Sequence, residues 1–557
     1  MKIRHLFILT SFLLCLASSA QHLEWAYGIG AENNEKVTGM AVDSYGDIII
    51  SGWYNYSTDL DPSDDSLIFS TEEIIAGFIA KYNTAGDLIW AVSLPEAYGV
   101  VCDNEDNIYV MGDFNIPFDF DPSADSVIIN PYLPPYSDLY LARYSPDGQL
   151  DWVFKFGSPH FADWINDIAI DKNNNIYITG YSSDSIFFHP AIQTPYMLPG
   201  GPQDIILAKY DTAGSFQWGF GIGGDGFNDG KAIAIDPDNN VYLTGCVNKS
   251  GDFDPGPGES LYDAYDGNRA FIAKYSGAGQ HVWSFRFIGG NSYGYGIACD
   301  KFGNVLLTGL FHSFFYLDSP NEEQMVVTNT PYWSDIFLVK YNSTGNYLWG
   351  FSIMEPDNSD VGRRVACDSA GNVYFSGEFH DTADFDPGPG EAIFASGDGD
   401  VFIAKYNPFG YYIGLINLRV SKIGDFCIID NHIFAAGYFG WPACDVGPGD
   451  ETYIIDNIGQ NDIFIAGFSD ITSIYYYSRK DSLYCYPNPV SDILTIHTNS
   501  NEDIKEINIT GISGSMLSVK CNIKNSNSVN LSQLPAGAYI ITVQMNNVIY
   551  RKKIIKL

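Results

Sequence analysis

The sequence predicts an all-β protein: a seven-bladed β-propeller followed by a small C-terminal β-sandwich. Three observations predict it. One phrase recurs seven times, and its marker glycine moves from Gly52 to Gly437 in six steps, about 64 residues each, a period of the kind that marks propellers and solenoids. Each repeat holds four runs with strand-like alternation. The 55 glycines and 27 prolines of the 557 residues punctuate the chain too densely for long helices.

The four runs of the first unit are Lys36–Val42, Asp47–Trp53, Gly77–Tyr82 and Asp87–Val92, the strand number of a propeller blade. The glycine ending the second run recurs at 52, 112, 180, 245, 309, 377 and 437. The third run carries a basic residue at Lys81, Arg143, Lys209, Lys274, Lys340 and Lys405, with Gly467 in the last copy. The outer run carries Trp25, Trp90, Trp152, Trp218, Trp283 and Trp349, with Ile413 at the seventh place. Trp25 precedes the first complete unit, and the last unit stops at Phe468 without a Trp run. The N-terminal run therefore fills the outermost place of the last blade, hiding two sheet edges.

Charge and hydropathy narrow the class. There are 67 Asp and Glu against 29 Lys and Arg, a net charge of −38. A general nucleic-acid binder needs a basic surface to replace phosphate counterions, so nucleic acid is excluded as the expected partner. Aromatic residues are 15% and charged residues 17%, which gives the chain ample apolar surface to bury and excludes a disordered protein. The only long apolar run is N-terminal. Lys2 and Arg4, the run Leu6–Leu16 and the small residues Ser18-Ser19-Ala20 form a secretory signal peptide cut between Ala20 and Gln21. Cys15 raises a lipoprotein alternative, but Leu14 before it is bulky where a small residue is wanted. The mature chain is expected to hold no transmembrane segment and to be a monomer.

The C-terminus changes character. Residues 481–557 carry seven basic and five acidic residues and alternate as six or seven short strands. Tyr486-Pro487-Asn488-Pro489 opens this tail, Leu534-Pro-Ala-Gly537-Ala-Tyr539 follows, and Lys552-Lys553-Ile-Ile-Lys556-Leu557 ends it. In this order the tail resembles the type A C-terminal sorting domain of type IX secretion substrates. The resemblance implies passage through the periplasm and across the outer membrane by the type IX machinery, removal of the tail, and release or attachment at the cell surface. The basic end also reads as a charged edge strand that discourages aggregation. The domain expectation is a signal peptide at 1–20, a propeller at 21–470, a linker at 471–484 and a sorting domain at 485–557.

The repeat wording resembles the bacterial β-propeller (SBBP) repeat, as in Ala41-Val-Asp-Ser-Tyr-Gly-Asp-Ile-Ile-Ile-Ser-Gly52 and Asp400-Val-Phe-Ile-Ala-Lys-Tyr406. The Gly-then-Trp phrase, as in Asp211-Thr-Ala-Gly214-Ser-Phe-Gln-Trp218, resembles the docking phrase of quinoprotein propellers, but seven blades rather than eight favour plain inter-blade packing. The Asp opening each turn (Asp43, Asp103, Asp171, Asp236, Asp300, Asp368, Asp430) is read as a turn acceptor. The repeated Lys is expected to lay its stem between blades and pair with a repeated carboxylate.

Function is sought first in the loop between the second and third runs. It holds Asp59-Leu-Asp61, Asp119-Phe-Asp121, Asp252-Phe-Asp254 and Asp384-Phe-Asp386, each followed by Pro. These paired carboxylates are candidate ligands of Ca²⁺, a hard cation that takes oxygen donors; the alternative is a Pro-Gly turn with a buried central residue. No other cofactor is indicated. CxxC, HExxH, P-loop and nucleophile-elbow phrases do not occur. Cys485 and Cys521 are a possible pair within the tail. The expected function is a surface-delivered binding or adhesion module for a glycan or protein ligand, motivated by Tyr- and Trp-rich stretches read as loops, such as Tyr293-Gly-Tyr295 and Phe161-Ala-Asp-Trp164. The alternatives are a propeller hydrolase or lyase, whose mark would be two acidic residues that break the repeat and face each other, and a passive surface-coat component.

Overall fold

The structure, a computed structural model, describes residues 23–471 apart from short loop stretches, and the strands of a C-terminal unit between 483 and 556. Residues 1–22 with Ala20 and Gln21, the turn residue Asp430, positions 472–482 of the linker, Pro487, Asn488, Pro489 and Cys521 lie outside the described residues. The chain divides into two compact units at Ile474 and Tyr475, and all described elements are strands.

The first unit is a seven-bladed propeller. Seven antiparallel blades follow one another along the chain, each beginning at its innermost strand; six sheets have four strands, and the third is extended to six by the short hairpin Gly251–Asp252 and Leu261–Tyr262. Blade 1 is Glu35–Val42, Ile48–Asp59, Ile68–Tyr82 and Leu88–Leu94. Its two middle strands run past the expected ends into a long hairpin. Ile68 and Ile74 project from it, 64% and 65% exposed, so burial in the core does not limit its length. Blade 7 takes Lys422–Ile429, His432–Gly440 and Asn461–Ser469 from the end of the unit and Leu23–Ile29 from its start. Leu23–Ile29 pairs antiparallel with Asn461–Ser469, which places Trp25 opposite Gly467.

Strand alternation feeds a separate core on each side of a blade. Phe78, Ala80 and Tyr82 pack with Ile463 and Ile465 of blade 7. Ile79, one residue out of phase, packs with Val100, Ile108 and Val110 of blade 2. The turn aspartates act as expected wherever they are described. Asp43 Oδ1, for example, accepts the N–H groups of Tyr45 and Asp47, each at 2.9 Å, and Asp236 and Asp300 hold their turns the same way.

Two repeated side chains tie blades 3, 4 and 5 each to the next. The indole N–H of Trp218 in blade 3 donates to the Gly277 carbonyl of blade 4 at 3.2 Å, and Lys209 Nζ donates to the same carbonyl at 3.0 Å. Trp283 and Lys274 converge likewise on Ser343, and Trp349 and Lys340 on Pro408. The lysines also meet the turn aspartates of their own blades: Lys81 with Asp43 at 2.7 Å, Lys340 with Asp300 at 2.8 Å, Lys274 with Asp236 at 3.3 Å and Lys209 with Asp171 at 3.8 Å.

Two blades depart from that expectation. Arg143 pairs with Asp151, because its longer planar head reaches across to the outer strand and to the Thr212 carbonyl. Lys405 pairs with Asp470 at 2.5 Å, and Tyr374 also donates to Asp470. At this junction the described partner of the lysine is the Asp470 carboxylate. Gly467 replaces Lys because the Trp25 ring lies on it; a Cβ there would stand 2.7 Å from the indole nitrogen.

Among its described residues the C-terminal unit has two sheets, one of three strands and one of four. Leu494, Ile496, Ile507, Ile509, Val529 and Ile541 form a single core between them, a β-sandwich. Tyr486 ends the strand Leu483–Tyr486 and Gly537 opens Gly537–Met545. The last strand, Val548–Lys556, is an edge strand that sets Lys552 opposite Ile541, Lys553 opposite Ile540 and Lys556 opposite Gly537.

Candidate functional site

The acidic loops are small hairpins closed by their own aspartates. Asp59 Oδ1 accepts the N–H of Asp61 at 3.2 Å and of Leu67 at 2.9 Å, and Asp61 accepts from Ser63. Asp119 and Asp121, Asp252 and Asp254, and Asp384 and Asp386 repeat this arrangement. The residue between each pair is buried: Leu60, Phe120, Phe253 and Phe385. Its carbonyl accepts a hydrogen bond from the tyrosine that follows the repeated basic residue: Tyr82 to Leu60, Tyr144 to Phe120, Tyr275 to Phe253 and Tyr406 to Phe385. These are the contacts of a turn anchored in the blade. Among the described residues no group of three or more His, Cys, Asp or Glu side chains is placed to hold a metal ion.

A different site lies on the axis. All seven innermost strands carry a register shift at the same place, between Val37 and Gly39, Ala97 and Gly99, Ile165 and Asp167, Gly230 and Ala232, Gly294 and Gly296, Gly362 and Arg364, and Ile423 and Asp425. The extra residue of a β-bulge leaves the ladder and its side chain is re-aimed. Here the extra residues are Thr38, Tyr98, Asn166, Lys231, Tyr295, Arg363 and Gly424, and all seven line one cavity of about 300 Å³. That volume is at the lower end of ligand pockets, roughly 300–1,000 Å³. The turn Asp and outer Trp repeat almost without change from blade to blade, whereas this position holds a nearly different residue in each.

The mouth of this cavity has two chemical sides. On blades 2 and 3, Tyr98 lies against Trp164 with ring centroids 4.9 Å apart, and Trp164 is 39% exposed. The Tyr98 hydroxyl is fixed by Asp113 at 2.6 Å and Glu96 at 3.0 Å. Asn166 reaches Asp229 and the Gly230 carbonyl, each at 2.8 Å, and Lys231 pairs with Asp229. On blades 6, 7 and 1, Arg363 is held by Glu378 through two bonds of 3.1 Å and lies 5.2 Å over Tyr295. Lys36 lies over the rings of Tyr438 and Trp53 at 4.7 and 5.1 Å. Burial lowers the pKa of Lys422 and the charge of Arg363 lowers it further; Glu378 opposes them, and Lys36 adds a lesser push downward.

Below the mouth the next residue of each strand is small in four blades (Gly39, Gly99, Ala232, Gly296) and charged in three. Arg364 stands 3.9 Å from Asp167 and 3.6 Å from Asp425. Each of these carboxylates also accepts a backbone N–H from a neighbouring blade, Asp167 from Ile233 and Asp425 from Met40. Burial raises the pKa of Asp167 to about 6, with Arg364 pulling the other way. These two acids break the repeat and meet across the channel at one guanidinium. The aromatic residues Trp164, Tyr293 and Tyr295 sit in innermost strands, not in loops. Their sequence stretches pass for loops because the bulge interrupts the alternation that marks a strand. The remaining mouth residues escape sequence reading because they do not recur.

Comparison with known proteins supports both units. Residues 484–557 match the secretion system C-terminal sorting domain, and residues 152–188 match the SBBP beta-propeller repeat. The protein is thus a type IX secretion substrate, exported to the cell surface or beyond. Among the described residues no helix is long and apolar enough to cross a membrane. A curated relative, an uncharacterized WD repeat-containing protein of Acanthamoeba polyphaga mimivirus, is 24% identical over 447 residues. The match covers 64% of this chain but 31% of that protein, so the chain spans under a third of its relative's length. Among solved structures, a PL25 ulvan lyase aligns at 10% identity over 77% of this chain and 98% of its own, with a TM-score of 0.39. A catalytically inactive virginiamycin B lyase from Staphylococcus aureus with quinupristin aligns at 8% identity over 79% and 99%, with a TM-score of 0.34.

Proposed function

We propose that the exported propeller is a binding module that takes a saccharide ligand at its axial mouth. The observation that carries this reading is the ring of seven bulge residues. A structural device is built at the same place in every blade, yet the side chains it presents differ. The scaffold is repeated and the chemistry is not, as expected of a recognition surface on a rigid support. The Tyr98 and Trp164 rings form a platform for the apolar C–H face of a sugar, and the fixed polar groups Asn166 and Lys231 lie beside it. The test is a glycan array probed with the mature chain and with its Trp164→Ala variant. Saccharide binding that Trp164→Ala abolishes, at an unchanged melting temperature, supports the reading. No binding to any saccharide, or binding indifferent to Trp164, refutes it.

One observation favours a second reading, a hydrolase or lyase. Asp167 and Asp425 face each other across the channel, and a carboxylic acid with a pKa of about 6 suits general acid chemistry. Their ion pairs with Arg364 and their hydrogen bonds from the backbone equally suit a structural clasp. Absence of turnover across a panel of polysaccharides would dismiss the enzyme reading.

A further inference from the structure

The chain has few basic residues, and their placement is uneven. Five of them, Lys36, Lys231, Arg363, Arg364 and Lys422, line the one axial cavity. Most are neutralised there: Lys231 by Asp229, Arg363 by Glu378, and Arg364 by Asp167 and Asp425. Glu96 and Asp113 are both engaged by the Tyr98 hydroxyl. Lys36 and Lys422 differ. Among the described residues neither makes an ion pair; Lys36 rests on two aromatic faces, and Lys422 is half-buried beside Arg363 and Lys36. Three like charges from blades 6, 7 and 1 thus crowd one side of the mouth, with one carboxylate, Glu378, among them. An arrangement that opposes its own charge lowers its energy when an anion enters. The bulge residue of blade 7, between them in the ring, is Gly424, where a Cβ would stand 2.4 Å from the Val37 carbonyl oxygen, so no side chain fills the space.

We infer that this side of the mouth is a subsite for an anionic group on the saccharide, a carboxylate or sulfate, held between Lys36, Lys422 and Arg363. The inference rests on the binding reading above and adds the class of ligand. The sugar ring lies on Tyr98 and Trp164, while its charged substituent reaches the cations across the ring. Arg363 keeps its planar head in place through Glu378, and the lysines supply the uncommitted N–H donors. Charge-assisted bonds of this kind are about twice as strong as neutral ones. A protein of net charge −38 repels polyanions elsewhere on its surface, so binding of an anionic polymer requires a local site.

The test compares dextran sulfate with dextran of equal length against the full mature chain, by calorimetry at fixed ionic strength. Dextran sulfate is expected to bind at least tenfold more tightly, and the advantage to disappear in Lys36→Gln/Lys422→Gln. The control Lys172→Gln/Lys301→Gln makes the same change of charge at turns away from the mouth and is expected to keep it. If a neutral saccharide binds through Trp164 while dextran sulfate gains nothing, the anionic subsite is overturned and the binding reading survives. If no saccharide of either kind binds, both fall. Tighter binding of poly-glutamate than of dextran sulfate, through the same lysines, overturns the saccharide in favour of an acidic peptide.

Discussion

The Trp25 indole of the seventh blade lies over Gly86 of the first and donates its N–H to the Thr84 carbonyl at 2.9 Å. This contact closes the ring between the first strand of the chain and a turn some sixty residues later. Gly86 has φ +86°, and a Cβ there would stand 2.9 Å from Trp25 and 2.6 Å from Tyr27. Alanine is therefore strained in both backbone and packing. Gly86→Ala and Trp25→Ala are each expected to lower the melting temperature by several degrees in calorimetry. For Trp25→Ala the loss is about 2 kcal/mol, less than the roughly 3–5 kcal/mol of a fully buried aromatic. An unchanged melt for either variant would show that closure does not depend on this staple.

Lys340 and Asp300 are both almost wholly buried, with side-chain exposures of 3% and 1%. Lys340→Ala leaves a buried carboxylate without its cation and is expected to destabilise by about 3–5 kcal/mol. Burial pushes the pKa of Asp300 up, but hydrogen bonds from Lys340 and Asn304 outweigh it and hold the group below its ordinary range. A depressed carboxylate stabilises above its unfolded pKa, and that contribution is lost as pH falls through the folded value. The acid-unfolding midpoint should therefore move to higher pH in Lys340→Ala. A midpoint that stays put contradicts the assignment.

Glu35 titrates in the opposite sense. It is buried against Asp462, and burial first, then that charge, raises its pKa from 4.5 to about 9. The folded state holds the proton more tightly than the unfolded chain. The stability gained is full below about pH 4.5 and is lost as pH rises through the folded value of about 9. The melting temperature should fall across this window. Glu35→Gln, which cannot ionise, should flatten the fall. A profile from pH 5 to 9 that is the same in both proteins would remove Glu35 as its cause.

At the acidic loops the turn and calcium readings separate cleanly. Asp252 Oδ1 accepts two backbone N–H groups, and an Asn oxygen can accept both. In EDTA, Asp252→Asn/Asp254→Asn should melt within about a degree of wild type, whereas Asp252→Ala should melt lower through loss of about 1 kcal/mol per hydrogen bond. A calcium site would in addition raise the wild-type melt in millimolar Ca²⁺ and leave the Asn variant unmoved. Equal melts with and without Ca²⁺ would reduce these loops to turns.

What could be read from the sequence follows from what repeats. The repeated Lys, Asp and Trp do the same work in successive blades, so their spacing exposes the seven blades, the turn aspartates and most of the Lys–Asp pairs. Asp470 is invisible to that reasoning, since it meets the repeated Lys at one junction only. The axial residues are hidden for a related reason. Thr38, Asn166, Lys231 and Gly424 share a backbone position but no chemistry, and the bulge that aims them breaks the alternation by which strands are recognised. The paired aspartates drew attention because they recur, and the hydrogen bonds that close their hairpins recur with them.

The most direct test of the axial site is a hydrogen-exchange footprint of the mature chain with and without a saccharide that it binds. Slower exchange in the innermost strands at residues 36–38, 164–166 and 422–424, with the outer strands unchanged, is the predicted result. Protection confined to the acidic hairpins at residues 59–67, 119–127, 252–260 and 384–392, with the innermost strands unaffected, would contradict it.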